Sequence, residues 1–194
     1  MAVDKPRCSW VNANNEAYIY YHDNEWGRAV KEEKKLLEML ILELFQGGLS
    51  FECVLNKRAA FKSAFADYNE FSIINFTENK IEQLFGDSSI IRNKAKIKAA
   101  INNTGVFAEI QKEYGSFAAY LNCFTQGKII YEQGKISNKL SDDIAGDLQK
   151  RGMKFIGSKM IYAYLKAIGI IYAHHEENCF LAYVGNKKDA DYYN

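Results

Sequence analysis

The stretch TENKIEQLFGDSSIIRNKAKIKAAINN, residues 77–103, decides the fold class. Thr77 stands where a hydroxyl can cap a helix, and Ile81, Leu84 and Phe85 follow at the spacing of one helical face. Gly86, Asp87, Ser88 and Ser89 break that pattern, and a second helix is predicted over 90–103. The motif is a helix, a hairpin and a helix. Working outward, residues 31–45 open with charge and continue through Leu36, Leu37, Met39, Leu40, Ile41, Leu42 and Leu44 until Gly47 and Gly48 stop them. Ala60, Phe61, Ala64 and Phe65 mark a helix over 56–68. Others are predicted over 106–120, from Ser141-Asp142-Asp143 onward, and over 158–168, where Gly169 ends the run. The chain holds one proline, residues 128–131 are its best strand candidate, and 126–139 reads as a long surface loop. The fold class is all-α.

A length of 194 residues suits one domain over 1–194, with room for a sizeable core. The longest apolar run, 39–45, is interrupted by Glu43 and is far short of the roughly 20 residues that span a bilayer. With no apolar signal core at the start, the reading is a cytoplasmic protein with no membrane partner, expected to be a monomer. Cys8, Cys53, Cys123 and Cys179 lack the close pairing of a secreted disulfide framework, and Cys53 and Cys123 read as core. A net charge of +1 announces no polyanion partner, but the charges cluster locally. Arg92, Lys94, Lys96 and Lys98 follow the hairpin, and Lys150, Arg151, Lys154 and Lys159 form a second basic segment. The hairpin at Ser88 and Ser89, leading into a helix start, could offer N–H groups to a phosphate. Solvated helix faces explain the same lysines equally well.

Two pairs of metal-ligand residues lie at opposite ends, Cys8 with His22 and His175 with Cys179. Two thiols and two imidazoles complete a tetrahedral zinc shell of the closed, structural kind. The alternative is that the cysteines are small buried apolar groups and the histidines ordinary polar ones. Glu43 falls at the edge of the apolar arc of its helix, whereas Glu38 lies roughly opposite the arc's centre. A carboxylate beside a core-facing stripe costs desolvation, so it has a partner, has a task, or curls out to water. Tyr18, Tyr20, Tyr21 and Trp26 surround His22, Trp10 follows Cys8, and Phe51 follows the turn after the Glu43 helix. Aromatic walls with one carboxylate suit a flat cation, although plain core packing also uses such residues.

Several strings, in order, resemble bacterial DNA-3-methyladenine glycosylase I: Arg7-Cys8-Ser9-Trp10-Val11, Tyr18-Ile19-Tyr20-Tyr21-His22-Asp23-Asn24-Glu25-Trp26-Gly27, Leu42-Glu43 through Gln46, Gly48-Leu49-Ser50, Ile90-Ile91-Arg92-Asn93-Lys94, and Lys150-Arg151-Gly152-Met153-Lys154-Phe155-Ile156-Gly157. The resemblance covers nearly the whole chain. It implies a base-excision enzyme of the helix-hairpin-helix superfamily that acts on double-stranded DNA containing alkylated bases. Such an enzyme flips out and hydrolyses off 3-methyladenine, leaves an abasic site without lyase cleavage, and carries one structural zinc ion on the termini, about 8–22 and 174–179.

By position, the resemblance assigns base recognition to Glu43 and pocket roles to Tyr18, Tyr21, Trp10 and Trp26. Phe51 stands where the family usually has a stacking tryptophan, Leu44-Phe45 replaces a small or polar pair, and Gly47 stands where alanine is frequent. Ser88, Ser89, Arg92 and Lys94 are the expected DNA contacts. The family's His-x3-Cys spacing selects His175 as the third ligand, while the distance from Gly169 selects His174; His175 is the expectation. Two other readings stay open on the residues alone: a non-catalytic zinc-stabilised binder of alkylated DNA, and a zinc hydrolase with Glu25 or Glu43 as base.

Overall fold

A computed structural model describes residues 5–174, 176 and 178–182. Most of its helices begin where short polar side chains can accept a backbone N–H. Asn15 caps α1 (Glu16–Asn24), Ser50 caps α3 (Phe51–Leu55), Asn69 caps α5 (Glu70–Ile74) and Thr77 caps α6 (Glu78–Gly86). Asn93 caps α7 (Lys94–Tyr114), Ser116 caps α8 (Phe117–Thr125), and Asn138 forms a capping box with Ser141 at α9 (Lys139–Lys150). α2 (Glu33–Gln46), α4 (Arg58–Ala64) and α10 (Ser158–Ala167) start without a capping side chain.

α2 is the central element. Every residue from 36 to 45 is buried, because the helix packs against α3, α7, α8 and α10 on different sides. One apolar cluster runs from Tyr18 through α2 to Ile171. Burying an aliphatic or aromatic side chain contributes about 1.5–3 kcal/mol, so this encirclement anchors the positions of both glutamates on α2. α6 and α7 pack on each other across the 87–93 hairpin, giving the helix, hairpin and helix read from the sequence. Among the described residues there is no strand and no helix long and apolar enough to cross a membrane.

Several local expectations are corrected. The helix expected over 90–103 and the one over 106–120 are one helix, α7, which runs on through Gly105 because Phe107 and Ile110 continue its buried face. The break comes at Gly115, whose φ of 85° provides the left-handed cap, and Ser116 then starts α8. The run over 56–68 is divided into α4 and a short turn, Ala66–Tyr68. Residues 128–131 contribute a single parallel bridge, Ile130 to Ile171, and no strand. Glu38, expected opposite the buried face, is itself buried, since α2 is covered on all sides.

Candidate functional site

A cavity of about 350 Å³ opens where α1, the end of α2, α3 and α10 meet the segments around Trp10 and Ala173. Trp10, Tyr18, Tyr21, Trp26, Glu43 and Phe51 all line it. The rings brace one another: Trp10 lies 4.6 Å from Trp26 and 5.1 Å from Tyr18, and Tyr21 lies 4.9 Å from Phe51. Glu43 is only 5% exposed, and burial pushes its carboxyl up to about 8. Burial and then Glu43 push the Tyr21 phenol well above its ordinary value, and both residues line the cavity. The site can therefore stack a flat ring and present to it an acid that is uncompensated among the described residues.

Sequence reasoning missed three polar members of this lining, Gln46, Lys166 and Glu176. Lys166 holds its ammonium 5.5 Å from the centre of the Trp26 ring. The Glu176 carboxylate accepts from the Ser9 N–H at 2.6 Å and the Ser9 hydroxyl at 3.1 Å, tying the C-terminal segment to the N-terminal one. The apolar periodicity of α10 gave no sign that its Lys166 turns toward the rings.

Behind the tryptophans, Cys8, His22, His174 and Cys179 gather with their ligand atoms within 4.8 Å of one another, all buried. The histidine in this group is His174, where His175 was expected; His175 lies outside the described residues. The remaining ring nitrogens are fixed by outer partners, His22 Nδ1 by the Asp23 carboxylate at 2.8 Å and His174 Nε2 by the Trp26 carbonyl at 2.8 Å. This leaves His22 Nε2 and His174 Nδ1 facing the thiols, with Cys179 Sγ 3.4 Å from the former and 3.9 Å from the latter. Such oriented imidazoles are the usual second layer of a metal site. Burial lowers His174 to about 4, so its imidazole is neutral, the form that ligates. Burial, then the facing Cys179, pushes the Cys8 thiol far up, so only a cation at the centre would hold it as thiolate. The donor set fits a soft divalent ion. It also sets the cavity wall, because His22 lies 5.4 Å from Trp10 and His174 4.8 Å from Trp26. Gly27 (φ 73°) makes this closeness possible: a Cβ there would stand 2.8 Å from Ala173 Cβ and 3.2 Å from the His174 ring.

The expected DNA contacts have mixed surroundings. Arg92 is exposed at the hairpin, whereas Lys94 is paired with Glu82 and Lys98 with Glu78. Lys96 is not a surface cation: it is buried, with Nζ donating to the carbonyls of Phe45 and Gly47. The Ser89 N–H donates to Asp87 at 2.8 Å, and the Ser88 and Ser89 carbonyls accept from Lys57. In the second basic segment Lys150, Lys154 and Lys159 are exposed, while Arg151 is held by Asp147 and Glu113.

The chain is similar to known proteins over most of its length. The pattern of the methyladenine glycosylase family matches residues 10–182. DNA-3-methyladenine glycosylase 1 of Escherichia coli (strain K12) is 35% identical over 188 residues, which is 93% of this chain and 98% of that protein. A crystal structure of a 3-methyladenine DNA glycosylase I is similar at 34% identity and a TM-score of 0.86, covering 91% of this chain and 100% of the other. A variant 3-methyladenine DNA glycosylase I crystallised in complex with 3-methyladenine is 27% identical with a TM-score of 0.83, covering 89% and 95% respectively.

Proposed function

This chain belongs to the methyladenine glycosylase family, and from that premise we propose that its ring-lined cavity takes 3-methyladenine flipped out of double-stranded DNA and releases it by hydrolysis, leaving an abasic site. The observation that carries the assignment of the site is the placement of a buried, uncompensated carboxylate, Glu43, among Trp10, Tyr18, Tyr21, Trp26 and Phe51.

Methylation at N3 makes adenine cationic and a good leaving group. Much of the barrier is therefore removed by the lesion, and binding supplies a large share of the rest. Extrusion from the stack costs a few kcal/mol, less for a damaged base. In the cavity the ring faces stack on the purine and attract its charge. Glu43, starved of countercharge, gains one when the cationic base enters, and its proton passes to solvent so that the carboxylate answers the charge. Neutral adenine offers no such exchange, which is the basis of discrimination. Water then adds at C1' as the glycosidic bond breaks through an oxocarbenium-like transition state; the bonding pair leaves with the now neutral base, and the proton shed by the added water passes to solvent. Glu43 acts in this scheme by recognition and electrostatic stabilisation.

Zinc(II) is the ion we assign to Cys8, His22, His174 and Cys179, where four protein ligands would supply a closed structural joint with no open position. Exposed Arg92, with the hairpin at Ser88 and Ser89, is assigned to the DNA backbone, and Lys94 joins it once its pair with Glu82 opens. The enzyme is read as a cytoplasmic monomer. The test is a single-turnover assay on N-methylated duplex DNA, with released base identified by chromatography. Release of 3-methyladenine is expected; binding of the duplex without release overturns the reading. Elemental analysis should find zinc at one ion per chain, lost in a Cys8→Ser, Cys179→Ser double variant.

A further inference from the structure

Lys96 occupies the first turn of α7, immediately after the hairpin, yet its side chain runs inward and is only 8% exposed. Its ammonium donates to the Phe45 carbonyl at 3.0 Å and to the Gly47 carbonyl at 2.6 Å. Those carbonyls lie where α2 ends, and helix ends leave their last carbonyls without intrahelical donors. Phe45 follows Glu43 by two residues, and Gly47 opens the turn that delivers Phe51 to the cavity. Among the described residues the ammonium meets carbonyls and no carboxylate, an expensive arrangement for a buried cation that serves only to fill space. A second lysine makes the reciprocal connection. Lys57, just beyond α3, donates to the Ser88 carbonyl at 3.1 Å and the Ser89 carbonyl at 3.0 Å in the hairpin. Each side of the joint thus reaches across and holds the other's backbone.

We propose that Lys96 and Lys57 are positioning residues that set the base cavity in register with the DNA-gripping hairpin. Lys96 fixes the Glu43 end of α2 and the turn after it, and Lys57 fixes the hairpin to the segment that follows Phe51. The inference rests on the reading of the cavity as the base pocket. It gives Lys96 a role opposite to the one its place in the basic segment suggests: its charge faces inward, onto carbonyls, and acts by geometry.

The test compares Lys96→Met and Lys57→Met, which keep much of the stem and remove the donor, at a temperature well below their melting points. A misplacement of about 1 Å can cost about a hundredfold in rate. For Lys96→Met the single-turnover rate at saturating enzyme should fall by about tenfold or more, and free 3-methyladenine, followed by quenching of Trp10 and Trp26, should bind at least about threefold more weakly. Affinity for undamaged duplex should stay within about twofold. For Lys57→Met the rate should fall about threefold with free-base binding unchanged, because only the register to DNA is disturbed. Wild-type rates in Lys96→Met overturn the proposal, as do parallel losses of rate and duplex affinity, which would mark an ordinary DNA contact. If Lys96→Met does not fold, the Lys57→Met rate decides alone. Wild-type protein that releases no base fails the functional reading instead.

Discussion

Two glutamates on α2, five residues apart and almost equally buried, have opposite surroundings. Glu38 accepts from Arg58 Nε at 2.7 Å and from Lys35 at 2.8 Å, and Arg58 also clasps Glu25. Burial alone would raise Glu38, but the Arg58 and Lys35 contacts outweigh it and hold the carboxyl below its usual range. Among the described residues, Glu43 has burial without that compensation. The same helix therefore carries one acid whose charge is fully answered within the protein and another whose charge is left for something else to answer. A buried acid with a complete set of partners holds structure together; one kept short of partners is available to a ligand.

Breaking the answered side should have the largest effect. Arg58→Met leaves Glu38 and Glu25 to share Lys35 in a partly buried site, and loss of one member of such a network costs about 3 kcal/mol. Urea unfolding at neutral pH measures it, and a loss within experimental error would dissolve the contrast. On the unanswered side, Glu43→Gln keeps the shape and removes the charge. Excision should fall about a hundredfold, about 2.7 kcal/mol of transition-state stabilisation, with folding intact. Single-turnover release at wild-type level would remove Glu43 from the site.

The two acids should also show themselves through pH, with opposite signs. Folded Glu43 keeps its proton up to about 8, while in the unfolded chain it loses it near 4.5. The folded state therefore binds more protons across that window, and stability falls as pH rises through it, by at most about 1.4 kcal/mol per unit. Glu38 and Glu25, held low, contribute stability that is present above about 4.5 and lost on acidification. Melting curves from pH 4.5 to 8 should decline less steeply for Glu43→Gln than for the wild type. The smallest effect belongs to Lys35→Met, which removes the more exposed of Glu38's two cations and should cost less than about 1 kcal/mol.

The sequence exposed what depends on local spacing and hid what depends on distant partners. Glu43 was visible as an acid on an apolar arc, and the rings near it were visible as a crowd, because both are short-range patterns. Glu38 was misplaced since the cover over its face comes from Arg58, twenty residues later, which helical periodicity cannot sense. Lys96 read as a surface cation because its long stem hides the direction it takes, and the carbonyls it holds belong to another helix. Gly105 and Gly115 look alike in sequence, yet only the second has positive φ, and the buried face past Gly105 carries α7 through. The sequence left His174 and His175 as neighbouring candidates, and of the described residues it is His174 that stands with Cys8, His22 and Cys179.

The Cys8, His22, His174 and Cys179 group has a consequence for how the protein is made. Two of its members precede α2 and two follow α10, so the four can meet only after residues 8 to 179 have all been synthesised. Trp10 and Trp26, which lean on those imidazoles, gain their final support at the same moment. The core around α2 can form earlier, but a chain that stops short of Cys179 lacks a finished binding wall.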